Sequence, residues 1–588
     1  MLRKILLMMP VMLILLHTGC SDSGSSDGSG SGKIYYVDSS GGNDSNDGLS
    51  EAGAWKTIDK VNSRSYLPGD TILFKRGEEF TGGIKPVSSG TSSMKITYDA
   101  YGSGANPLLR GSEIESGWTN VSGTIYSKTV SGYTPGTTGA GLILEDGVPL
   151  KFREWNTDAA TSLGADTGVY TYDPGDLSFA VLYVRCSSSA PSAHVMRATY
   201  YLFGIHGDSI SNIYIKNIDF TEFSCHGITA RSCTNINVMN CNAAKIGGAV
   251  LALSPVIYGG NGFEFTLNSS NCTVTDSTAS EIFDSGFSPQ VFESSTSTVN
   301  TSFINCTASK CGFAGIEISV LKYGTSSGES INGVVVRNCE VSDSGKGWSG
   351  VRYGNEGNGI RIKADTGAGT ISGVVIEDSY IHDCENIGIY LGGECGTVSI
   401  TRSKIEKCKV SGIECAGLAG VATLKLKLTS SLIVSNNITG TSHGISYNVV
   451  NGSGFEIINN TFYGNDLGMY IGDCGGQAVL KNNVFYAGTA HLYTASALAS
   501  ADFDYNCYYD FGSGIIAYNN IAYNSVADYS LAVSMDVNSK DANPQFVSAA
   551  DLHLQSGSAC LNAGTGAGVV LDFESQAFGS PPSMGAYR

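Results

Sequence analysis

The sequence predicts an all-β fold, a single-stranded right-handed parallel β-helix with an N-terminal cap and a small β-rich insertion. Three observations predict it. A short unit recurs at intervals of roughly two dozen residues between about 212 and 519. Its apolar residues alternate over short runs, which is the period of a strand and not of a helix. Asn, Asp and Gly recur at fixed offsets between these runs, where the chain must turn.

Each unit has two halves. The first half is a polar pair followed by alternating apolar residues, and these pairs are Asn240-Cys241, Asp276-Ser277, Asn305-Cys306, Asn338-Cys339, Asp378-Ser379, Asn459-Asn460, Asn482-Asn483 and Asn506-Cys507. The second half is Gly-apolar-x-apolar, and it begins at Gly227, Gly286, Gly315, Gly359, Gly388, Gly412, Gly444, Gly468 and Gly514. Because one unit cannot bury its own apolar face, the units must stack in parallel, about 4.8 Å apart. The crossover preference makes the coil right-handed, and the Leu spacing of a leucine-rich solenoid is absent.

The start of the chain predicts export. Two basic residues precede an apolar run over 5–16, which has the layout of a secretory signal over 1–19. Small residues before Cys20 resemble a bacterial lipobox, which implies a lipid on this thiol and a place in the bacterial cell envelope, at the outer membrane or cell surface. Residues 20–32 are nearly all Ser, Gly and Asp and predict a flexible tether. A plain secreted protein with a disordered start is the alternative.

The composition limits the partners. The formal net charge is -18 over 588 residues, which disfavours nucleic acid and, less strongly, polyanionic glycans. We expect a polysaccharide partner, a membrane reached through the lipid on Cys20, and a monomer. Calcium is a possible cofactor.

Three segments flank or interrupt the repeats. Residues 33–111 predict a cap and the first coils, with a short helix that turns Ile58 and Val61 to one face. Its Asp44 and Asp47 are either turn formers or calcium ligands. Residues 112–197 predict a β-rich insertion with Trp118 and Trp155 as core aromatic residues, serving packing or sugar binding. The coils proper occupy 198–519, and 520–588 closes the array.

Sixteen cysteines in an exported chain raise the question of disulfides. The repeats place Cys306 beside Cys339, and Cys384 beside Cys408, on adjacent coils, within disulfide range. The same positions face inward, where a buried thiol is a small apolar filler. We favour reduced ladders, with disulfides as the alternative. The absence of Cys-x-x-Cys disfavours zinc.

The candidate site lies outside the coil, since the inside is packed. In Gly-apolar-x-apolar the x residue points outward, and successive coils bring the x residues into one strip. That strip contains Ser288, Glu317, Arg361, Tyr390, Glu414, Ser446 and Tyr470. Lys363 shares the outward face of the Arg361 strand, His443 lies at the edge of the strip, and Tyr493 offers a further ring face.

This strip contains the side chains that β-elimination on a uronic-acid polysaccharide needs. Arg361 and Lys363 are candidates for neutralising the sugar carboxylate or for the base, and Tyr390 is the candidate acid. Glu317 and Asp284 would position the pair or bind calcium. We expect substrate contacts from Glu317, Glu414, His443, Tyr470 and Tyr493. A ladder of opposite charges that only keeps the surface soluble is the alternative.

Several segments carry a resemblance to known proteins. The opening KIYYVDSSGGNDSNDG, AWKTIDKVN and PGDTILFKRGEEF, and the closing NPQFVSAADLHLQSGSACLNAG and SMGAYR, resemble extracellular β-helix proteins that include pectate and chondroitin lyases. GNGIRIKADTG looks like a strand of polygalacturonases, whose other catalytic segments are missing, and IFDSGFSPQ resembles the calcium-binding segment of some pectate lyases. The chain as a whole resembles the right-handed β-helix proteins of the pectin-lyase-like superfamily.

The resemblance implies a fold more firmly than an activity. Three functions stay open: a surface polysaccharide lyase or epimerase, a non-catalytic glycan-binding lipoprotein, and a structural or adhesion module. We place the lyase first. Glycoside hydrolysis by Glu317 and Glu414 is disfavoured, because three coils separate them by about 14 Å.

Overall fold

The structure is a computed structural model. It describes residues 32–129, 141–172, 181–253, 256–322, 324–348, 357–417, 423–436, 443–450, 452–486, 488–509 and 516–588. Three long sheets form the three faces of a single parallel β-helix, which confirms the predicted fold class. The predicted signal and Cys20 lie outside the described residues. None of the helices in the described ranges has the length and apolar character needed to cross a membrane.

Each coil passes through sheet 1, then sheet 2, then sheet 3. Sheet 1 is parallel and consists of Ile34–Val37, Thr71–Lys75, Ile96–Tyr101, Ser211–Lys216, Thr234–Met239, Ser270–Thr275, Ser297–Ile304, Glu329–Arg337, Gly369–Ser372, Val374–Glu377, Thr397–Thr401, Lys425–Thr429, Gly454–Ile458, Gln477–Lys481 and Ala501–Asp504. Sheet 2 is parallel and consists of Glu79–Thr81, Leu108–Arg110, Asp219–Thr221, Asn242–Ile246, Thr278–Ile282, Thr307–Ser309, Glu340–Ser342, Tyr380–His382, Lys404–Glu406, Leu432–Val434, Thr461–Tyr463, Val484–Tyr486, Cys507–Tyr509 and Lys540–Asp541.

Sheet 3 is the face that contains the predicted strip. It consists of Phe203–Asp208, His226–Arg231, Phe263–Thr266, Ser285–Val291, Ala314–Val320, Asn358–Ala364, Ile387–Gly393, Ser411–Ala416, His443–Val449, Leu467–Cys474, Ala490–Thr494, Ile516–Tyr518 and Ile521–Tyr523. Its strands are parallel except for the last pair, which is antiparallel.

The interior is a stack of apolar columns, because alternate residues of each strand point inward. In sheet 3 one such column contains Ile228, Phe263, Phe287, Ile316 and Ile360 in register, all at most 1% exposed. The rings of Phe263 and Phe287 stack with centroids 5.0 Å apart. Burial of such columns is the main stabilising contribution to the array.

The polar pairs make the turn between sheets 1 and 2. The first member adopts the left-handed conformation, as in Asn240 with φ 51°, Asn305 with φ 55° and Asn482 with φ 57°. Asn and Asp tolerate this conformation better than other residues with a side chain. The second member points inward and is buried, as in Cys241 and Asn483. The last predicted pair is shifted by one residue, because Tyr505 takes the left-handed position with φ 60° and leaves Asn506 buried.

In the last coils the buried position of the pair forms an asparagine ladder. The side-chain oxygen of Asn483 accepts from the main-chain N–H of Asn460 at 3.0 Å, and its amide group donates to the carbonyl of Ile457 at 2.8 Å. Its own main-chain N–H donates to Asn506 Oδ1 at 3.0 Å. Each amide therefore satisfies backbone groups of neighbouring coils that the turn would otherwise leave unpaired.

Short helices close the apolar column at each end. The first is Ile58–Asn62, which Thr57 caps and whose Ile58 and Val61 are buried, as predicted. The carboxylate of Asp44 accepts from the main-chain N–H groups of Lys56 and Thr57 at 2.8 and 3.0 Å, so it acts here as a local cap. At the other end Val526–Val533 buries Tyr529 against the core.

The insertion contains two small sheets. One consists of Val148–Pro149, Ile143–Glu145, Met196–Thr199 and Ser112–Glu115, and the other of Lys151–Phe152, Val169–Tyr172, Val181–Arg185, Ile125–Thr129 and Thr119–Ser122. The insertion also contains the helix Ala159–Leu163 and the 3-10 turn Pro191–Ala193. A separate hairpin, Val250–Leu253 with Val256–Tyr258, belongs to a loop of the coils.

The insertion packs onto the turns between sheets 2 and 3. Its buried residues share one apolar cluster with Phe283 and Trp348 of the coils. Trp118 and Trp155 were expected in the core, and this expectation is wrong: both are only partly buried, at the margins of two separate clusters. The buried positions of the insertion are occupied instead by residues such as Phe152, Tyr170 and Tyr172.

All fifteen cysteines in the described part of the chain are buried free thiols. Cys306 comes directly before Thr307 and Cys339 directly before Glu340, and Thr307 and Glu340 pair on adjacent strands of sheet 2. The two cysteines therefore lie on adjacent coils, as the repeats predict. Desolvation raises the pKa of thiols such as Cys241 and Cys272 to about 12, which favours their inert, protonated form.

The asparagine ladder leads to a first prediction. Asn483→Ala removes the acceptor for Asn460 and the donor for Ile457 in a buried site, which should cost about 3 kcal/mol of unfolding free energy. Urea denaturation followed by circular dichroism measures this. Asn237→Ala, which removes a half-buried amide on the outer face of sheet 1, is the matched control and should cost less than about 0.5 kcal/mol. Equal losses in the two variants would contradict a stabilising role for the ladder.

Candidate functional site

The outward residues of sheet 3 form one continuous row, which we call the outer strip. It consists of His206, Thr229, Glu264, Ser288, Glu317, Arg361, Tyr390, Glu414, Ser446, Tyr470 and Tyr493. Neighbours in this row belong to adjacent strands, about 4.8 Å apart. The order deduced from the repeats matches the register of the sheet.

One half of the outer strip is enclosed. Glu264, Ser288, Glu317 and Arg361 are all at most 9% exposed, although they point away from the apolar interior. We call the stretch from Glu264 to Arg361 the enclosed half. Buried polar groups are costly without hydrogen bonds. Glu264, Glu317 and Arg361 have partners within the protein, whereas the Ser288 hydroxyl has none among the described residues.

Glu317 is the most densely bonded residue of the enclosed half. Its Oε2 accepts from Ser285 Oγ and Gln290 Nε2, both at 3.0 Å. Its Oε1 accepts from Ser319 Oγ at 2.7 Å and pairs with Arg361 Nη1 at 3.3 Å. The carboxylate is thus bonded on both oxygens and paired with a cation, which holds it in one orientation.

Arg361 lies between this carboxylate and two aromatic rings. Its guanidinium carbon is 5.0 Å from the centroid of Phe313 and 6.0 Å from that of Tyr390. Within the described residues only Nη1 donates hydrogen bonds, to Glu317 and Ser319. Its N–H groups on Nε and Nη2 donate to no acceptor among the described residues.

A second carboxylate belongs to the same network two coils away. Glu264 accepts from Thr229 Oγ1 at 2.8 Å and faces His226 Nε2 at 3.4 Å. The main-chain N–H of Asn261 donates to His226 Nδ1 at 3.0 Å, so Nε2 carries the ring proton and points to Glu264. Burial lowers the pKa of His226, which favours the neutral ring. Asn261 Oδ1 then accepts from the Ser285 N–H and joins both carboxylates in one network.

The other half of the outer strip is open to solvent. Tyr390, Glu414, Ser446, Tyr470 and Tyr493 are half-buried, and we call this stretch the open half. The rings of Tyr470 and Tyr493 stack with centroids 5.5 Å apart and planes inclined by 14°. His443 lies against Tyr470 at 5.1 Å. Stacked rings of this kind offer flat apolar surfaces to sugar rings.

Two neighbouring groups in the open half have shifted proton affinities. Burial raises the pKa of Glu414, and no donor or cation among the described residues offsets it. Burial also raises the pKa of the Tyr390 phenol, although the nearby Arg361 opposes the rise. Such shifts are frequent at functional sites. At His443 burial lowers the pKa.

Two further residues predicted for the site are Lys363 and Asp284. Lys363 points outward beside Arg361, and its ammonium group pairs with Asp365 at 2.8 Å, so it is not a free base. Asp284 lies at the turn before Ser285–Val291. Within the described ranges no group of three or more His, Cys, Asp or Glu side chains is placed to hold a metal ion. A calcium ion at Asp284 stays a prediction.

Sequence reasoning missed Glu264, His226, Gln290 and Ser319. The signal for Glu264 was present, because Gly262-Phe263-Glu264-Phe265 is a further copy of Gly-apolar-x-apolar. Gln290 and Ser319 occupy the next outward position of their strands, and they are in register with Lys363. This second outward row could have been read from the same repeats.

The family described as "Right handed beta helix region" matches residues 291–485 of the chain. The chain is a right-handed parallel β-helix protein. The right-handed parallel β-helix predicted from the sequence is confirmed as the fold. The match covers strands of all three sheets, including Glu317, Arg361, Tyr390 and Glu414 of the outer strip.

One relative in sequence is a lacto-N-biosidase. This β-helix protein is 32% identical over 210 residues to a lacto-N-biosidase from Bifidobacterium longum subsp. longum, a match that covers 33% of this chain and 13% of that protein. The chain therefore spans only about an eighth of the length of this relative.

Two solved structures also align with the chain. A GH136 lacto-N-biosidase from Eubacterium ramulus aligns with a TM-score of 0.44 and 14% identity over 78% of this chain and 67% of its own. The pectate lyase Pel9A aligns with a TM-score of 0.37 and 15% identity over 95% and 97% of the two chains.

The buried pair in the enclosed half leads to a second prediction. Glu317→Ala leaves the guanidinium of Arg361 without its carboxylate in a buried site, which should cost about 3 to 5 kcal/mol of unfolding free energy. Urea denaturation measures it. Glu456→Ala, which breaks the more exposed pairs with Lys425 and Lys427, is the control and should cost less than about 1 kcal/mol. A loss below 1 kcal/mol for Glu317→Ala would mean that the pair is solvated.

Proposed function

We propose that the protein is a glycan-cleaving enzyme whose substrate lies along the open half of the outer strip, and that it cleaves by β-elimination at a uronic acid. The observation that carries this proposal is the placement of Arg361, Tyr390 and Glu414 on three successive strands. A cation, a neutral phenol and a carboxylate of raised proton affinity follow one another at intervals of about 4.8 Å. β-Elimination needs these three kinds of group.

Arg361 would bind the carboxylate of the sugar. Its Nε and Nη2 face no acceptor among the described residues, and a guanidinium binds a carboxylate through two parallel hydrogen bonds. Neutralising that carboxylate makes the proton on the adjacent carbon more acidic. Because Glu317 fixes the other edge of the guanidinium, the binding edge is held in place before the substrate arrives.

Glu414 would then remove this proton, and Tyr390 would donate one. The electron pair of the broken C–H bond forms a carbon–carbon double bond, and the bond to the glycosidic oxygen breaks. That oxygen takes the phenolic proton of Tyr390. The raised pKa of Glu414 makes it a stronger base than an ordinary carboxylate, and the raised pKa of Tyr390 keeps it protonated at neutral pH.

The rest of the open half would bind the remainder of the glycan. Tyr470 and Tyr493 present stacked rings two and three strands beyond Glu414. Ring faces bind sugars without requiring charge. This matters for a chain with a net charge of -18, because general electrostatic attraction cannot hold a polyanion on it.

Glycoside hydrolysis is the second candidate, and one observation favours it: the relative with 32% identity is a lacto-N-biosidase. Within the outer strip, Glu264 and Glu317 lie two strands apart, about 9.6 Å, close to the upper separation used by inverting glycosidases. Both carboxylates are, however, committed to buried hydrogen bonds. We therefore place elimination first.

A third prediction tests the chemistry. Incubation of residues 33–588 with pectate, alginate and glycosaminoglycans should raise ultraviolet absorbance from unsaturated uronate on one of them. Tyr390→Phe and Glu414→Gln should each lower kcat by at least about 100-fold, and chelator should leave the rate unchanged. Lys427→Ala, on the outer face of sheet 1, is the control. New reducing ends without absorbance would establish hydrolysis and reject elimination.

The pH dependence of the same reaction follows from the shifted groups. Glu414 must be deprotonated to accept a proton, so kcat should rise as pH increases through a pKa above the ordinary value for Glu. Tyr390 must be protonated, so the fall on the alkaline side should lie above the ordinary pKa of Tyr. A profile that rises through an ordinary glutamate pKa would reject Glu414 as the base.

We also propose that the protein is exported and anchored through a lipid on Cys20, a residue outside the described ranges. The proposal rests on the apolar run and the small residues before Cys20. As a fourth prediction, Cys20→Ala expressed in a bacterial host should move from the membrane pellet to the soluble fraction. Cys186→Ala, at a buried thiol, is the control. Equal membrane association of both variants would reject the lipid anchor.

A further inference from the structure

We infer that the outer strip is closed at the Arg361 end, so that the protein binds the end of a glycan chain and not its middle. This inference rests on the proposed function for the site it uses. The inference adds which part of the glycan chain the site recognises. The observation that carries it is the change in burial along the strip, between Arg361 and Tyr390.

The enclosed half offers no continuation for a bound chain. Ser288 is 0%, Glu317 4% and Arg361 9% exposed. Both oxygens of Glu317 already accept hydrogen bonds from within the protein. A sugar lying beyond Arg361 would have to displace these buried bonds, and each displaced bond would leave an unpaired polar group.

Phe313 forms part of the barrier. Its ring lies 5.0 Å from the guanidinium carbon of Arg361, and its main chain is held between two loops, with N–H donating to the Asp284 carbonyl and C=O accepting from Gly357 N–H. The ring therefore stands beside Arg361, where the enclosed half ends. Shape and hydrogen bonding both stop the chain at this position.

From Arg361 towards Tyr493 the outer strip is open to a bound chain. From Tyr390 the half-buried row continues over four further strands to Tyr493, a length of about 19 Å. A chain can thus extend from Arg361 towards Tyr493 but not the other way. The terminal sugar, with a carboxylate on Arg361, would occupy the closed end.

The first experiment measures product size. The uronate polymer cleaved in the absorbance assay is digested and sampled from the first few percent of conversion, with viscosity followed in parallel. End recognition predicts one short unsaturated product from the start and a slow fall in viscosity. A ladder of product sizes with a rapid fall in viscosity would overturn the inference while leaving the proposed cleavage intact.

The second experiment separates binding from chemistry. The Glu414→Gln protein is titrated by calorimetry with a uronate oligosaccharide that is unmodified, blocked with a bulky group at its reducing end, or blocked at its non-reducing end. One of the two blocks should weaken binding at least tenfold, and the other should leave it within threefold. Equal affinity for all three ligands would overturn the inference. End-dependent binding, together with an unmutated protein that cleaves none of the substrates, would uphold the inference and reject the proposed function.

A variant tests the barrier itself. Phe313→Ala removes the ring beside Arg361 and should add longer products to the digest. Tyr493→Ala, at the far end of the open half, is the matched aromatic control and should weaken binding without changing product size. Thermal unfolding of both variants is measured first. If Phe313→Ala is folded and still releases the single short product, Phe313 is not the barrier; if it does not fold, Phe313→Leu takes its place in the same comparison.

Discussion

The whole molecule depends on strands that stack in register, about 4.8 Å apart, in three parallel sheets. This spacing lets side chains at equivalent positions of adjacent coils contact one another, so one favourable kind of interaction is repeated along the array. Ile228, Phe263 and Phe287 repeat it in the interior, and Asn460, Asn483 and Asn506 repeat it at the turn. The outer strip is a further consequence, because a regular stack turns equivalent positions of distant segments into direct neighbours.

The enclosed half of the outer strip shows how such a stack can support a polar site. A charged pair in a buried place is costly unless every group is bonded. Here Glu317 is bonded by Ser285, Gln290 and Ser319 as well as by Arg361, and these residues come from three adjacent strands. The network holds Arg361 by Nη1, with its guanidinium carbon 6.0 Å from the ring of Tyr390, the first residue of the open half. Preorganisation of this kind is what a substrate-binding cation needs.

The open half differs from the enclosed half in what surrounds its polar groups. Glu414 is buried enough to raise its pKa, and no cation or donor among the described residues compensates. Glu317 occupies an equivalent outward position three strands away but is bonded on both oxygens. Two carboxylates in the same repeat position thus differ through their environment alone. In the proposed mechanism that difference would give Glu317 a positioning role and Glu414 the proton transfer.

The sequence by itself determined the solenoid, its turn residues and the membership of the outer strip, since a strand period of two and a regular coil decide which residues face outward and which become neighbours. Glu317, Arg361, Tyr390 and Glu414 could be placed in order for this reason. Only the tertiary structure decided which half of the strip is enclosed, that Glu264 and His226 join its network, and that Lys363 pairs with Asp365. It also placed Trp118 and Trp155 at cluster margins. These features depend on how loops of unequal length and a non-repeating insertion pack against the coils, and such contacts between distant segments follow no period that a sequence could reveal.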